Sequence, residues 1–339
     1  MAIPTPQITG LGLDGYVRIQ KEVAYGTDIV TAMTDLKILP ESLMMVTNQI
    51  IEVNNQVASR VKQDPDTAGR IAVTGTIEME QDPATIGAIY DIFLDQVAVT
   101  GDATDGYLHA YTPKMTGDGT DNSATIQQAI GSNLADQYAG CVITGMTLAS
   151  DNEGNQKASL RIAGQGHTGD VARQSSWSFG AVPSFNFGMT TVSITFDGFD
   201  AYTQCVKSYE FVSDLGYNVE DWCLGSREIV QPTYSAISEN TLTMTIDADA
   251  TLLEMARNQT KCSILLTTTH TSKAGSSGVY ANYIEIPEAR LNVDVSIPNT
   301  NEKATMDLAF TVYGGTTTNS GAVVVPYELR ANDATATYA

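Results

Sequence analysis

Polar and apolar residues alternate with period two along much of the chain. Arg70–Glu80 does so, with Ala72 and Gly75 as the weak positions, and so do Thr241–Asp247, Ala158–Ile162 and Val192–Phe196. This period, carried by Thr, Ile and Val, predicts half-buried strands. Asp151–Asn155, with Gly154 inside it, reads as a hairpin turn between two of them. Only two segments break into a helical period. In Ala84–Phe93, Ile86, Ile89, Tyr90 and Phe93 form one apolar face behind Asp82-Pro83, a capping residue followed by proline. The second is Ala250–Arg257, with Asp249 as its candidate cap.

The two helices stand in matching contexts. Thr76–Asp82 leads into the first and Thr243–Asp249 into the second, an offset of 167 residues. Further on, Asn155–Ala163 resembles Asn301–Ala309 at an offset of 146, so the first half holds an insertion, placed near Gly101–Asn122. Upstream of each helix strand, Ser42–Gln56 and Ser208–Asp221 predict extended hairpins. The reading is a tandem duplication in a mainly β chain: two β-sandwich or barrel domains, each with one short α-helix. The first β domain covers 1–165, a Gly/Ser/Gln-rich linker 166–189, the second β domain 190–315, and a C-terminal arm 316–339, ordered by a neighbouring subunit. One strand, Ala322–Pro326, is expected in that last stretch.

Composition narrows the function classes. Charged residues are only 17% of the 339, below the usual quarter, and 39 Asp+Glu against 18 Lys+Arg give a net charge of −21. The acidity is spread evenly, with 21 acids and 9 bases up to residue 170 and 18 acids and 9 bases after it. That excludes tight binding to a phosphate backbone, which needs clustered cations. It fits a surface that DNA passes without sticking, and it also serves solubility. The four cysteines, at 141, 205, 223 and 262, form no C-x-x-C pair and are expected as reduced thiols. The N-terminus has no signal-peptide pattern, and no apolar run is long enough to span a membrane.

The search for chemistry returns little. Gly10-Leu11-Gly12-Leu13-Asp14-Gly15 matches G-x-G-x-x-G but follows two prolines and precedes a strand-like segment, the reverse of the dinucleotide context. His109, His167 and His270 lie far apart and none neighbours a cysteine. Asp118–Asn122 could ligate calcium but lacks the downstream glutamate of an EF-hand, so a solvated turn is the better reading. No cofactor, metal or enzymatic activity is expected. Glu78 and Glu80 share one strand face, and Asp247 occupies the place matching Glu80. These three acids are candidates for the lining of a channel, against an ordinary solvated face.

Several short motifs, taken in order, resemble the tail tube (major tail) proteins of long-tailed bacteriophages, the siphophages. They are Val17–Thr27 with its Glu-x-x-Tyr-Gly-Thr turn, Leu39-Pro40-Glu41-Ser42, His109-Ala110-Tyr111-Thr112-Pro113, and Tyr138-Ala139-Gly140 leading to Leu148 and Ala158–Ile162. Gln20-Lys21 departs from a Gly common there. The resemblance implies tail-tube-like domains whose long hairpins join across subunits into an inner barrel. Met44, Ile50 and Glu52 in the first hairpin, and Phe211, Tyr217 and Val219 in the second, are the candidate inter-subunit residues. It further implies a virion protein, assembled in the host bacterial cytoplasm, that stacks as rings around an acidic conduit. Its partners would be copies of itself, a tape measure protein, and tail terminator and distal tail proteins, with genomic DNA passing through unbound. A duplicated chain needs three copies for a pseudo-sixfold ring. The competing arrangement is six chains, each with one tube domain and one outer decoration domain. A capsid decoration or baseplate protein, a carbohydrate-binding adhesive β-sandwich and a β-rich hydrolase or lyase are the alternatives.

Overall fold

The structure, a computed structural model, describes residues 15–29, 33–40, 42–51, 67–114, 122–130, 134–173, 179–197, 201–203, 205–247, 250–292, 305–321 and 323–338. It is mainly β. Strands β1 (Tyr16–Lys21), β2 (Thr34–Leu36), β3 (Leu43–Ile51) and β4 (Thr67–Glu80) precede helix α1 (Ile86–Phe93). Then come β5 (Asp95–Asp102), β6 (Gly106–Thr112), β7 (Ala124–Ile130), β8 (Leu134–Ser150), β9 (Lys157–Gly164) and β10 (Gly166–Thr168). The second half opens with β11 (Thr190–Phe196), β12 (Ala201–Thr203), β13 (Val206–Asp214), β14 (Tyr217–Asn218), β15 (Thr233–Tyr234) and β16 (Glu239–Asp247). After α2 (Ala250–Arg257) follow β17 (Lys261–Lys273), β18 (Val279–Leu291), β19 (Thr305–Tyr313), β20 (Gly315–Thr316), β21 (Val324–Val325) and β22 (Glu328–Asp333).

The alternation does what it predicts. Along β16, Asn240, Leu242, Met244 and Ile246 are buried while Glu239, Thr241 and Thr243 face solvent. The apolar face of α1 is buried as expected, but the helix starts at Ile86, after Thr85, and Asp82 stabilises the preceding turn by accepting from Ala84 N at 3.1 Å.

One strand order occurs twice. In the first half the antiparallel neighbours run β2–β1–β7–β8–β9–β4–β3. In the second they run β12–β11–β17–β18–β19–β16–β13. A helix follows β4 and β16 alike. The insertion in the first half is the β5–β6 hairpin together with the turn to β7, beginning at Asp95 and so a little before Gly101. The pairing also adjusts the offsets. Glu80 stands opposite Lys157, and Asp247 opposite Thr305, so at offset 167 the counterpart of Lys157 is Thr305 rather than Lys303. A two-residue slip keeps every side chain on its own face, which is why the sequence pattern tolerates it.

Several contacts join the halves, three of them as follows. β8 pairs directly with β13, from Gly145 opposite Asp214 to Ser150 opposite Tyr209. β22 lies between β18 of the second half and β6 of the first. A buried relay joins Tyr90 Oη, donating to Asn282 Oδ1 at 3.0 Å, and Asn282 Nδ2, donating to Gln81 Oε1 at 3.1 Å. The stretches expected as linker and arm are correspondingly structured. Gly166–Thr168 forms β10 against β8, and Phe185 is fully buried. Within 316–339, Glu328–Asp333 is an internal strand, because Tyr327 and Leu329 fill the core from it.

Candidate assembly surface

Each of the three histidines has a partner within the fold. His109 is fully buried, with Nδ1 2.8 Å from Gln96 Nε2 and Nε2 2.7 Å from the Thr335 carbonyl. The amide donates to Nδ1 and the ring donates to the carbonyl, so neither nitrogen is free to take a proton from a nucleophile. His270 accepts from Ser272 N at 2.9 Å, and burial lowers its pKa, which keeps it neutral. His167 sits on β10 beside Asp136. Among the described residues no group of three His, Cys, Asp or Glu is placed to hold a metal. Gly10–Asp14 and Asp118–Asp121 lie outside the described residues.

Two motifs acquire physical roles instead. Glu22, 4% exposed, accepts from Gly26 N at 2.9 Å, Gly140 N at 2.9 Å, Ser123 Oγ at 2.7 Å and Thr125 Oγ1 at 2.9 Å. The carboxylate thus ties the turn after β1 to β7 and to the bend of β8. Gly26 and Gly140 adopt φ of 72° and 60°, the left-handed region that glycine enters without a Cβ clash. The His109-Ala110-Tyr111 motif anchors the C-terminus. Tyr338 donates to Asp333, and the rings of His109 and Tyr338 meet tilted at 48° with centroids 4.9 Å apart. A side chain at Gly87 of α1 would collide with the Tyr338 hydroxyl.

The three candidate acids fall on the polar face of β4 and β16, and each has a partner. Glu78 accepts from Ser159 Oγ at 2.5 Å. Glu80 accepts from Asn155 Nδ2 at 3.0 Å and from Ser184 Oγ at 2.6 Å. Asp247 pairs with Lys207 at 2.8 Å. The rest of that face is largely hydroxyl: Thr74, Thr76, Thr147, Thr241, Thr243 and Thr245 all lie on it, with Glu210 and Asp307.

The six candidate hairpin residues separate into three groups. Met44 (4% exposed) and Phe211 (0%) point into the chain's own core, and Phe211 meets Tyr327 edge-on at 5.0 Å. Both side chains are therefore out of a neighbour's reach. Ile50 is 65% exposed on β3. Tyr217 stacks on Tyr234 at 4.6 Å, Val219 is half-buried, and Glu52 lies outside the described residues. What the alternation could not reveal is the difference between the two hairpin strands. β13 carries a neighbour on both edges, β16 and β8, whereas among the described residues its counterpart β3 pairs with β4 alone.

A β-rich chain in which, among the described residues, the long strand β3 is paired on one edge alone suits assembly. Its sequence matches the family described as phage tail tube protein over residues 12–331, nearly the whole length. The chain belongs to the phage tail tube family. No curated relative matches it. This tail tube protein is accordingly a structural component of the virion that assembles with copies of itself into a tube. Among its described residues no helix is long and apolar enough to cross a membrane.

Its thiols give a direct check of the fold. Cys205 and Cys223 are exposed, while Cys141 and Cys262 are buried. Burial raises the Cys141 thiol well above its ordinary range and pushes Cys262 up to about 12. Only thiolates react with a disulfide reagent. The two exposed thiols of the native protein should therefore react with such a reagent, and all four after denaturation; a third reacting thiol in the native state would contradict the placement.

Proposed function

We propose that this tail tube protein builds a siphophage tail tube from stacked rings of three chains, in which six copies of one strand pattern surround a conduit for DNA. The observation that carries this reading is the repeated strand order combined with the β8–β13 junction. Within one chain the second half joins the first edge to edge in a single sheet, with β3 at the outer edge of the first half. A neighbour that offers β3 what β8 offers β13 continues the sheet, and three chains close it, leaving no free edge. The arrangement of six chains with an outer decoration domain fits less well, because both halves share that sheet. The lumen wall is then the polar face carrying Glu78, Glu80 and Asp247, a hydroxyl-rich surface with more acids than bases that repels a duplex, with the cations Lys207 and Arg161 paired with Asp247 and Asp214. The tape measure protein would occupy the lumen before DNA, with terminator and distal tail proteins at the two ends, and assembly would take place in the host cytoplasm.

Negative-stain electron microscopy of the concentrated protein tests this. Open tubes of stacked rings with three chains per ring are expected. Persistent monomers in the presence of tail initiator components, or rings of six chains, would overturn it.

A further inference from the structure

The two helices are covered to different extents. All of α1 except Ala88 is buried. Its outer side is closed by the second half: Tyr90 Oη donates to Asn282 of β18 at 3.0 Å, and Tyr338, which donates to Asp333 at the end of β22, lies against Gly87. On α2, Leu252 and Met255 are buried, whereas Thr251, Glu254 and Arg257 are exposed. A helix that is apolar all round must be enclosed, while an amphipathic one keeps a face for water or for a polar partner.

The repeat identifies the first half's counterpart of the surface that covers α1. β8 and β18 carry the same bulge, between Tyr138 and Cys141 against β7 and between Ile286 and Ala289 against β17. Tyr138 therefore corresponds to Ile286, and Asp136 to Ile284. On its other edge β8 pairs with β10 at Gln137–Ala139, and β18 pairs with β22 at Ala281–Glu285. β10 thus stands where β22 stands. Side chains two residues apart, or directly opposed, share a face. Asn282 and Ile284 accordingly lie with Leu329 on the face that meets α1. Asp136 and Tyr138 lie with His167 on the matching face of the first half. His167 Nε2 is 3.6 Å from Asp136 Oδ1, and the Asp136 side chain is 36% exposed. Where the second half has buried Ile284, the first half has a carboxylate that reaches water.

We propose that in the ring α2 of one chain packs against the β8–β10 face of the next copy, with Arg257 meeting Asp136. The proposal rests on the three-chain ring reading above and adds to it the outer contact that accompanies closure of the sheet. Within the chain, β13 joins β8 and the face bearing Asn282 and Ile284 closes over α1. Between chains β3 takes the place of β13, so the face bearing Asp136 comes over α2 of the chain that pairs with β3. The charges agree: Arg257 stands in the last turn of α2, and Asp136 is an acid on the receiving face. The difference in polarity agrees as well. The contact inside a chain never faces water and is largely apolar, whereas the contact between chains is solvated in every free copy and is polar. The two patches are unlike, and a threefold rotation closes the contact into a ring.

Charge reversal tests it, with sedimentation of tubes as the readout. Arg257→Glu and Asp136→Lys should each raise the protein concentration needed for tubes by at least about tenfold, because like charges then face each other. The double variant restores the pair with its signs exchanged and should assemble close to the parent. Thermal unfolding of all three monomers should match the parent, because neither side chain is enclosed in the free chain. Single variants that assemble as the parent does, or a double variant no better than either single one, would overturn the proposal. Hydrogen exchange gives a second reading on the unaltered protein. The amides of α2 and of Gly166–Thr168 should gain about tenfold or more in protection between monomer and tube, and unchanged exchange in α2 would overturn the proposal as well. Failure of the unaltered protein to form three-chain rings would instead overturn the ring reading.

Discussion

Removing residues 328–339 should abolish the soluble folded chain, not merely its assembly. β22 is an internal strand: Leu329 stands opposite Ile284 of β18 on one side and Tyr111 of β6 on the other. Tyr327 and Leu329 are 0% exposed and Ala331 is 1% exposed. Losing one large buried side chain costs about 3–5 kcal/mol, and this deletion takes Leu329 and Ala331 together with the backbone that holds Tyr327 in place. It also strips a neighbour from β6 and from β18 and leaves two unpaired edges, a template for aggregation. The polar groups fare no better. Arg330 pairs with Glu285 at 2.9 Å and approaches Glu328 at 3.6 Å, and His109 loses its acceptor on Thr335. With a total stability of about 5–15 kcal/mol for a domain, the truncated chain should be recovered in inclusion bodies or melt without cooperativity. Soluble yield and a calorimetric scan decide it. If the segment were an arm ordered only by a neighbour, the monomer would unfold as the parent does.

That outcome separates what the residues announce from what they conceal. The strands β4, β9, β11 and β16 and both helices are legible because each buries one face of its own, and the period states which face. β22 was not legible as an internal strand. Glu328, Arg330 and Asp333 are 0%, 9% and 1% exposed, and three charges in six residues read as surface. They are buried because their partners come from elsewhere: Glu285, 43 residues upstream of Glu328, and Thr317 and Asn319, which donate to Glu328 at 2.6 and 3.1 Å. Burial holds the Asp333 carboxyl above its usual range even though Tyr338 and the Thr335 amide donate to it. The repeated strand order was legible because two halves of one sequence can be compared with each other. The β8–β13 seam was not, since nothing local in Gly145–Ser150 distinguishes a strand that stays within its own half from one that joins the other. The same limit applies to the acids. Glu78, Glu80 and Asp247 sit on the expected strands and face, but their hydroxyl, amide and lysine partners emerge only from the assembled sheet.

Glu22→Ala should be the most destabilising single substitution of an acid in this chain. In the sequence the motif containing Glu22 reads as a turn. Its physical content appears only when residues 101, 103 and 118 positions away bring Ser123, Thr125 and Gly140 to the same carboxylate as Gly26. All four groups donate, so an ionised carboxylate satisfies each of them with one of its lone pairs. Alanine leaves two backbone amides and two hydroxyls facing a cavity inside the fold. Each unsatisfied buried donor costs about 1–3 kcal/mol, with some relief as the hydroxyls rotate to other acceptors, so a net loss of about 4 kcal/mol is expected. Glu22→Gln should lose roughly half as much, because its amide group turns two donors against Gly26 N or Gly140 N, whichever lies on that side. The comparison that gives the result meaning is Glu78→Ala. Glu78 is half-buried on the polar sheet face with Ser159 Oγ as its partner, and its loss should cost less than about 1 kcal/mol. In thermal unfolding of the monomers, Glu22→Ala should fall by about 10 °C, on the scale of 2–4 °C per kcal/mol for chains of this size, while Glu78→Ala stays near the parent. Equal melting of the two variants would show that Glu22 is not the tie between β1, β7 and β8. An intact Glu78→Ala monomer then becomes the right material for asking, in assembled tubes, what the charge on that face does to the passage of DNA.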